Sequence, residues 1–236
     1  MYKNLLGVAA CLLPLAAQAA AYQAAPVQVT LTPMNRIGVI TVHNTDTAVL
    51  PLQVQLLRWS HQGDKDVFTP TEALLATPPI FKVAPSGAQI IRLGLRQPML
   101  PGPEQTYRLF LKQLPTSPPP GFKGLQVLLD MSIPVFVQAD PRMTPVFQWQ
   151  VRPGKPGHVE VLLTNTGSAH AQVKSFTLSA AKQKTPLASM SVNTYVFAGE
   201  QRSWDLALKR GLPAQSSLTL TAQTNLGQIE ARLKVP

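Results

Sequence analysis

The side chains that most often catalyse reactions or bind metals are few in this chain and form no recognisable site. Its histidines are His43, His61, His158 and His170. None of them has another His, Cys, Asp or Glu at metal-ligand spacing. There is no glycine-rich phosphate loop and no serine nucleophile elbow. Asp64 and Asp66 enclose Lys65 in a predicted turn, where solvated carboxylates are expected. The sequence therefore favours a protein that is not an enzyme, and it predicts no cofactor or metal ion.

The most informative stretch is a long row of apolar side chains spaced two residues apart, a pattern that suits binding better than catalysis. Between Gly124 and Val137 every odd position is aliphatic or Met: Leu125, Val127, Leu129, Met131, Ile133, Val135 and Val137. This alternation predicts a strand with one apolar face. Such a run would extend roughly 45 Å at about 3.3 Å per residue. Because a usual strand has roughly 5–6 residues, part of this one is predicted to overhang its sheet.

Two interpretations of this row remain open at this point. In the first, the odd positions fill the core of the chain's own β-sandwich. In the second, the protein lends the strand to a partner. The segment before the strand, Pro115–Lys123, is rich in Pro and can form neither strand nor helix. A long apolar strand that follows such a loop suits a lent strand.

Residues 1–19 have the pattern of a secretory signal peptide. Lys3 gives a positive start, an apolar segment follows at Leu5–Ala16, and Ala17–Ala19 supplies a small-residue cleavage site. The segment is too short for a membrane span, and it continues past Cys11, which does not fit a lipoprotein signal. Cys11 is the only cysteine. We therefore expect an exported, soluble mature protein without disulfides.

The charge of the chain narrows the class of partner. The formal net charge is +10, from 21 Lys and Arg against 11 Asp and Glu. These charges are scattered without a basic run, and an exported protein does not meet DNA, so we expect no nucleic-acid partner. No second long apolar stretch is present, so we expect no membrane insertion. The positive charge keeps the protein soluble and can steer an acidic partner.

Composition and spacing predict an all-β protein with two domains. Pro accounts for 23 residues, about twice the average usage, and only 14% of residues are charged. About seven alternating segments precede residue 139, as an immunoglobulin-like sandwich requires, and a second series begins after a break. We predict an N-terminal sandwich at 20–138 that contains the long strand, a hinge at 139–142 and a C-terminal sandwich at 143–236.

Several stretches together resemble one known family. The most specific are Ala76–Phe81, Pro85–Gly87, Ile91–Leu93 and Glu104–Pro115 with its closing Leu-Pro. Looser similarity in the second half rests on Asn165–Gly167, Tyr195–Gly199 and Thr224–Gly227. These stretches resemble the PapD-like periplasmic chaperones of the chaperone–usher pilus pathway. Ser132–Val137 resembles the end of the long strand in the spore-coat-U or archaic-pilus branch. The resemblance extends over essentially all of the predicted mature chain.

The resemblance implies a bent pair of immunoglobulin-like domains that acts in the periplasm by donor-strand complementation. Pilus or coat subunits lack the last strand of their own sandwich, and such a chaperone lays its long strand into the resulting groove. Strand addition of this kind protects an aggregation-prone edge until an outer-membrane usher receives the subunit. By the family pattern, the subunit-binding residues are Leu125, Val127 and Leu129, with Met131 continuing the row. The resemblance therefore favours the lent strand.

One departure from the family pattern concerns the cations that bind the C-terminal carboxylate of a subunit. Most members use an Arg on the first strand and a Lys on the long strand, but the matching positions here are Gln28 and Pro134. The candidate replacements are Arg92, Arg108 and Lys112, of which we retain Arg92 and Arg108 because a guanidinium can grip a carboxylate with two bonds. The alternative is that these strand cations simply face solvent.

Glu104 matches a family acid that helps to fix the angle between the domains. The alternative interpretation of Glu104 is an ordinary loop carboxylate.

Two functions of other classes remain as alternatives. A tandem immunoglobulin-like structural subunit or adhesin of a surface fibre would carry its own N-terminal donor extension, and residues 20–26 are too short and too weakly apolar for one. An exported binding or hydrolytic module would need a constellation of functional side chains, and none is apparent. The tryptophans suit core strands better than a sugar-binding platform; they are Trp59, Trp149 and Trp204.

Overall fold

The computed structural model describes residues 22–99, 101–117, 121, 123–180, 185–209, 211 and 217–234 of the chain. The predicted signal peptide at 1–19 lies outside these ranges, as do residues 118–120 and 122 of the Pro-rich loop. Every regular element within them is a β-strand, which confirms the predicted all-β class. Among the described residues there is no helix of the length and apolarity that a membrane crossing requires.

The strands fall into two groups along the chain. The first group is β1 (Tyr22–Ala25), β2 (Val29–Leu31), β3 (Ile37–Asn44), β4 (Leu50–Gln62), β5 (Lys65–Pro70), β6 (Leu74–Thr77), β7 (Ile80–Val83), β8 (Ala88–Leu95), β9 (Gln105–Gln113) and β10 (Asp130–Val137). The second group is β11 (Phe147–Pro153), β12 (His158–Asn165), β13 (Ala171–Ala180), β14 (Ala188–Val196), β15 (Gln201–Ala207), β16 (Ser217–Thr224) and β17 (Gly227–Lys234).

Each group forms a two-layer sandwich. In the first, one sheet has the order β1-β3-β8-β6, and the other has the order β2-β10-β9-β4 with β5 and β7 also paired to β4. In the second, the sheets are β11-β12-β15 and β14-β13-β16-β17. The pairing of β10 with β2 is parallel, whereas β10 and β9 are antiparallel. The predicted architecture of two immunoglobulin-like sandwiches is confirmed.

The core of each sandwich is built from the alternate side chains that its strands point inward. In the first sandwich, Ile40 of β3, Leu109 of β9 and Val135 of β10 belong to one cluster and are fully buried. The second core includes Val161, Leu163, Phe176, Leu178, Leu218 and Leu220. Burying one such aliphatic side chain stabilises the fold by about 1.5–3 kcal/mol. The alternation seen in the sequence is therefore what holds the two layers together.

The long strand is shorter than the sequence predicted. β10 begins at Asp130 rather than Gly124, although the C=O of Leu129 still accepts a hydrogen bond from the N–H of Gln113 at 3.0 Å. The neighbouring strand β9 ends at Gln113, so no strand in the described part of the chain pairs with the residues before Leu129. An apolar segment without a partner strand thus precedes β10.

Tyr22 fixes the point at which the chain enters β10. Its side chain is buried, and its hydroxyl donates a 2.8 Å hydrogen bond to the C=O of Leu111 and lies 3.3 Å from the C=O of Leu129. Burial raises the pKa of this hydroxyl to about 12. The Tyr22 hydroxyl thereby connects β1 to Leu129, the residue at which the unpaired apolar segment ends.

Replacing Tyr22 with Phe is expected to lower the free energy of unfolding by about 1 kcal/mol and to reduce the sensitivity of the protein to alkali. Because the pKa is raised in the folded state, the stability that Tyr22 contributes is complete below its ordinary pKa near 10 and is lost as the pH rises from there to about 12. Urea unfolding at about pH 8 and about pH 11 measures both effects. An equal loss of stability in the wild type and in Tyr22→Phe over this interval would contradict the assignment.

Candidate functional site

The apolar stripe is the row formed by Leu125, Val127, Leu129 and Met131. Its first two members are exposed, with 86% of Leu125 and 67% of Val127 accessible to solvent. Leu129 and Met131 are half-buried and pack against the core of the first sandwich, and the next residue of the row, Ile133, is only 1% exposed. A single row of side chains therefore passes from solvent into the core, and only its second half fills the first sandwich.

One edge of β10 is free along much of its length. On one side, β9 pairs with the whole of β10, from Asp130 to Val137. On the other side, β2 pairs only with Val135–Val137, so no described strand covers the edge between Asp130 and Pro134. The unpaired N–H and C=O groups of such an edge are a template for the addition of another strand.

A cleft of about 590 Å³ lies between the two sandwiches. Strands β4, β5, β9 and β10 line it on one side, and β13, β14 and β15 line it on the other. Its residues include Trp59, His61, Arg108, Ser132, Pro134 and Tyr195. Because Ser132 and Pro134 belong to the free edge of β10, this edge leads directly into the cleft.

Arg108 is a cation in this cleft with unused binding capacity. Its guanidinium lies 3.8 Å over the ring of Trp59 and 5.4 Å from the ring centroid of Tyr195. Its Nη1 is 3.4 Å from the hydroxyl of Ser132, and its buried Nε has no hydrogen-bond partner among the described residues. No described carboxylate forms an ion pair with it.

The chemistry of Arg108 follows from this partial burial. Desolvation lowers the pKa of the Arg108 guanidinium, but an arginine stays protonated in proteins. A cation withdrawn from water and without an ion-pair partner among the described residues binds an anion more strongly than an exposed cation does. The arrangement therefore suits a carboxylate that enters the cleft.

The two predicted anchor residues lie on different sheets. Arg92 belongs to β8 and is exposed, beside a shallow groove of about 200 Å³ that also contains Ile37 and Leu75. Arg92 is not among the residues that line the cleft. The structure brings Arg108, and not Arg92, to the end of the free edge.

The two positions at which the family resemblance expects cations can also be located. Pro134 lines the cleft and stands directly opposite Arg108 in the register of β10 and β9. Gln28 is exposed, and it is the preceding residue, Val27, that lines the cleft. The position of the expected Lys is thus occupied by Pro134, and the cation at this level of the sheet is its cross-strand neighbour Arg108.

Glu104 lies at the junction of the two sandwiches, and its side chain is 1% exposed. Its Oε1 accepts a 2.7 Å hydrogen bond from Nε2 of Gln138. Its Oε2 accepts a 2.7 Å bond from the backbone N–H of His170 and lies 2.6 Å from Nδ1 of the same residue. The ring of His170 also stacks on Phe136 of β10, with centroids 3.5 Å apart. Glu104 therefore contacts both sandwiches, while its role in fixing the angle between the domains stays a prediction.

Sequence analysis did not find the aromatic residues that complete the cleft. Trp59 is buried as a core residue would be, but its ring lies under Arg108 and outside the core cluster. Tyr195 reaches Arg108 from the other sandwich, and nothing in its local sequence indicates this contact. The available signal is the alternation of β4, which places Trp59 and His61 on the same face.

Comparisons with known proteins agree with this architecture. A comparison with proteins of curated function gives no match. Among solved structures, the chain is similar to a chain of the CsuC–CsuE chaperone–tip adhesion subunit pre-assembly complex from archaic chaperone–usher Csu pili of Acinetobacter baumannii, with 18% identity over 92% of this chain and 100% of that one and a TM-score of 0.66. The YadV chaperone gives 17% identity, coverage of 91% and 100%, and a TM-score of 0.63.

A third similar structure is Salmonella enterica SafA pilin in complex with the SafB chaperone, with 14% identity, coverage of 92% and 99%, and a TM-score of 0.63. At these identities the likenesses establish the fold. The family is established by a family model, that of the PapD N-terminal domain of pili and flagellar-assembly chaperones, which matches residues 21–141. This match extends over half of the chain and over the sandwich that carries the apolar stripe, and the chain therefore belongs to the PapD-like family of pilus assembly chaperones.

Proposed function

We propose that this pilus assembly chaperone holds its subunits by donor-strand complementation, with the apolar stripe as the donor. The observation that carries the proposal is the exposure of Leu125 and Val127, which continue the row that Ile133 brings into the core. Keeping such a side chain in water forgoes about 1.5–3 kcal/mol of burial free energy. An apolar groove in a subunit would supply that burial.

The free edge of β10 supports the same proposal from the backbone. A subunit strand that adds beside Asp130–Pro134 would pair with N–H and C=O groups that β2 leaves uncovered. Main-chain hydrogen bonds of this kind give affinity, while alternate side chains filling pockets give specificity. The stripe and the edge would therefore act on one bound strand, the stripe through its side chains and the edge through its backbone.

Arg108 is the proposed anchor for the C-terminal carboxylate of the subunit. It lies beside the Pro134 end of the free edge, and it forms no ion pair with a described carboxylate. A guanidinium can hold a carboxylate through two parallel bonds. A strand bound along β10 would then end at a charge that fits its terminus.

The remaining parts of the proposal are the compartment and the later partners. The family acts in the periplasm, which agrees with the signal peptide predicted at 1–19. We propose that the protein serves pilus or coat subunits there and delivers them to an outer-membrane usher. The alternative of a tandem immunoglobulin-like fibre subunit or adhesin is not favoured, because the matched family is one of assembly chaperones.

Isolation of the protein from the periplasm tests this function. The full chain, tagged at its C-terminus and expressed in its host, is expected to co-purify with fibre subunits in one-to-one complexes, as measured by native mass spectrometry. Presence of the protein in assembled surface fibres would instead support the structural-subunit alternative. Recovery of the chain without any bound subunit, while the fibre is being made, would contradict the proposal.

A further inference from the structure

Trp59 of the first sandwich packs against two aromatic side chains of the second. Its ring centroid lies 5.0 Å from that of Tyr195 and 4.7 Å from that of Phe197, both edge to face. Arg108 is enclosed by one ring from each sandwich, because Trp59 lies 3.8 Å below it and Tyr195 lies 5.4 Å away. The surroundings of this cation therefore depend on how the two sandwiches are held together.

His61, two residues after Trp59 on β4, contacts both sandwiches at once. Its Nδ1 lies 2.7 Å from Oε1 of Glu200 in the second sandwich, and its Nε2 lies 3.0 Å from Oδ1 of Asp66 in the first. The ring stacks face to face on Phe197 with centroids 4.1 Å apart, and the side chain is only 5% exposed. Hydrogen bonds to carboxylates are among the stronger ones in proteins, so His61 links the two sandwiches firmly.

Both carboxylates that contact His61 are themselves held in place. Oδ1 of Asp66 also accepts a 2.8 Å hydrogen bond from Nε1 of Trp59. Oε2 of Glu200 accepts a 2.8 Å hydrogen bond from the backbone N–H of Phe197. A chain of contacts thus runs from Trp59 through Asp66, His61 and Glu200 to the segment that carries Phe197.

Arg202 contacts the same carboxylate oxygen of Glu200 as His61 does. Its Nη2 lies 3.1 Å from Oε1 of Glu200, and its Nη1 donates a 2.6 Å hydrogen bond to the C=O of Gly63 in the first sandwich. Glu200 is therefore held by His61 of the first sandwich and by Arg202 and Phe197 of the second. Phe197, whose backbone N–H bonds Glu200 and whose ring stacks on His61, directly follows the strand β14 that ends with Tyr195 and Val196. The contacts of Glu200 and His61 therefore hold the end of the strand that carries Tyr195.

We propose that the His61–Glu200 pair is an interdomain latch that sets the position of Tyr195 against Arg108. His61 is then a positioning residue for carboxylate binding: it acts through Glu200 and Tyr195. The inference rests on the proposed function, since it assigns a role in binding a subunit carboxylate at Arg108. It extends that function because residues of both sandwiches would then form the carboxylate-binding site. Binding of a subunit would depend on His61, which is not part of the apolar stripe.

Two measurements on the mature chain test the latch. The only natural cysteine, Cys11, lies in the predicted signal peptide, so spin labels can be attached to cysteines introduced at the exposed positions Gln23 and Gln228. Pulsed electron–electron double resonance then gives the distribution of distances between the two spin labels, one on each sandwich. Binding is measured with a synthetic peptide of alternating Val and Thr, about ten residues long to match the segment from Leu125 to Pro134 at about 3.3 Å per residue, as its free acid and as its C-terminal amide.

The wild type is expected to bind the acid about tenfold or more tightly than the amide. In His61→Ala and in Glu200→Gln this ratio should fall toward one, and the distance distribution should broaden. Two variants are used because either one alone could disturb folding. The double variant His61→Ala with Glu200→Gln should lower the acid-to-amide ratio no further than either single variant does, since all three remove the same contact. The matched control is His158→Ala, which removes a histidine–carboxylate contact to Asp205 within the second sandwich and should change neither readout.

Three results would overturn parts of the scheme separately. An unchanged distance distribution in both variants would overturn the latch. A broadened distribution with the wild-type acid-to-amide ratio would overturn the role of His61 in placing Arg108. A wild type that binds acid and amide equally would overturn the anchor at Arg108, and with it the role given to His61, while leaving the donor strand of the proposed function standing.

Discussion

Replacing Leu125 and Val127 together with Ser is expected to abolish stable subunit capture while the melting temperature of the free protein stays nearly unchanged. Both side chains are largely exposed in the free chain, so the folded state gains little from them. In the proposed complex each fills a groove and contributes about 1.5–3 kcal/mol. Their joint loss corresponds to about two to four decades of affinity. Co-purification of subunits and thermal unfolding measure the two effects.

The matched control for this experiment is Ile133→Ser, a change to the same residue type in the same row. Ile133 is fully buried in the core of the first sandwich, where a change of this kind removes the apolar contacts, leaves a cavity and buries a hydroxyl, at a cost of about 3 kcal/mol or more. Ile133→Ser should therefore lower the melting temperature clearly. If Leu125→Ser destabilises the free protein as much as Ile133→Ser does, the whole row is core and no strand is lent.

Arg108→Ala is expected to weaken subunit capture by about two decades or more, because removing one partner of a desolvated charge pair costs roughly 2–5 kcal/mol. Arg108→Lys should recover only part of this loss, since an ammonium keeps the charge but not the planar fork that stacks on Trp59 and grips a carboxylate. Competition between wild-type and variant chaperones for the same co-purified subunit measures the difference.

Arg92→Ala is the control for Arg108→Ala, since Arg92 is an exposed cation of the same sandwich that does not line the cleft. It should leave capture unchanged. A loss of capture in Arg92→Ala, with none in Arg108→Ala, would transfer the anchor to the outer face of β8. Unchanged capture in both variants would remove the two arginines from the binding site.

Alternation in the sequence predicted most of the strands that carry the site, because a half-buried sheet imposes a period of two on its residues. Ile91–Leu93, one of the stretches singled out in the sequence, lies within β8 at Ala88–Leu95. Three strands were not predicted: β1 (Tyr22–Ala25), β5 (Lys65–Pro70) and β14 (Ala188–Val196). β1 has only four residues, and the two large apolar residues of β5, Val67 and Phe68, are adjacent, so neither strand shows a clear alternation.

Periodicity also could not show where the apolar stripe leaves the core. Leu125 and Ile133 occupy equivalent positions in the pattern, and only the end of β9 at Gln113 separates the unpaired segment from the strand. The cleft was less predictable still. His61 and Glu200 are 139 residues apart in the sequence, so their contact depends on how two separate sandwiches meet, which no local pattern encodes.

The parallel pairing of β2 with Val135–Val137 has a consequence for the length of any strand that adds to β10. β2 blocks the edge beyond Pro134, and Arg108 stands level with that block. With the C-terminal carboxylate of the partner at Arg108, as proposed, β2 and Arg108 would together fix where the added strand ends along β10. Because side chains alternate between faces, a terminus one residue longer would turn every apolar side chain of the added strand to the opposite face. The chaperone would therefore select its clients by counting residues from the end, as well as by their apolar character.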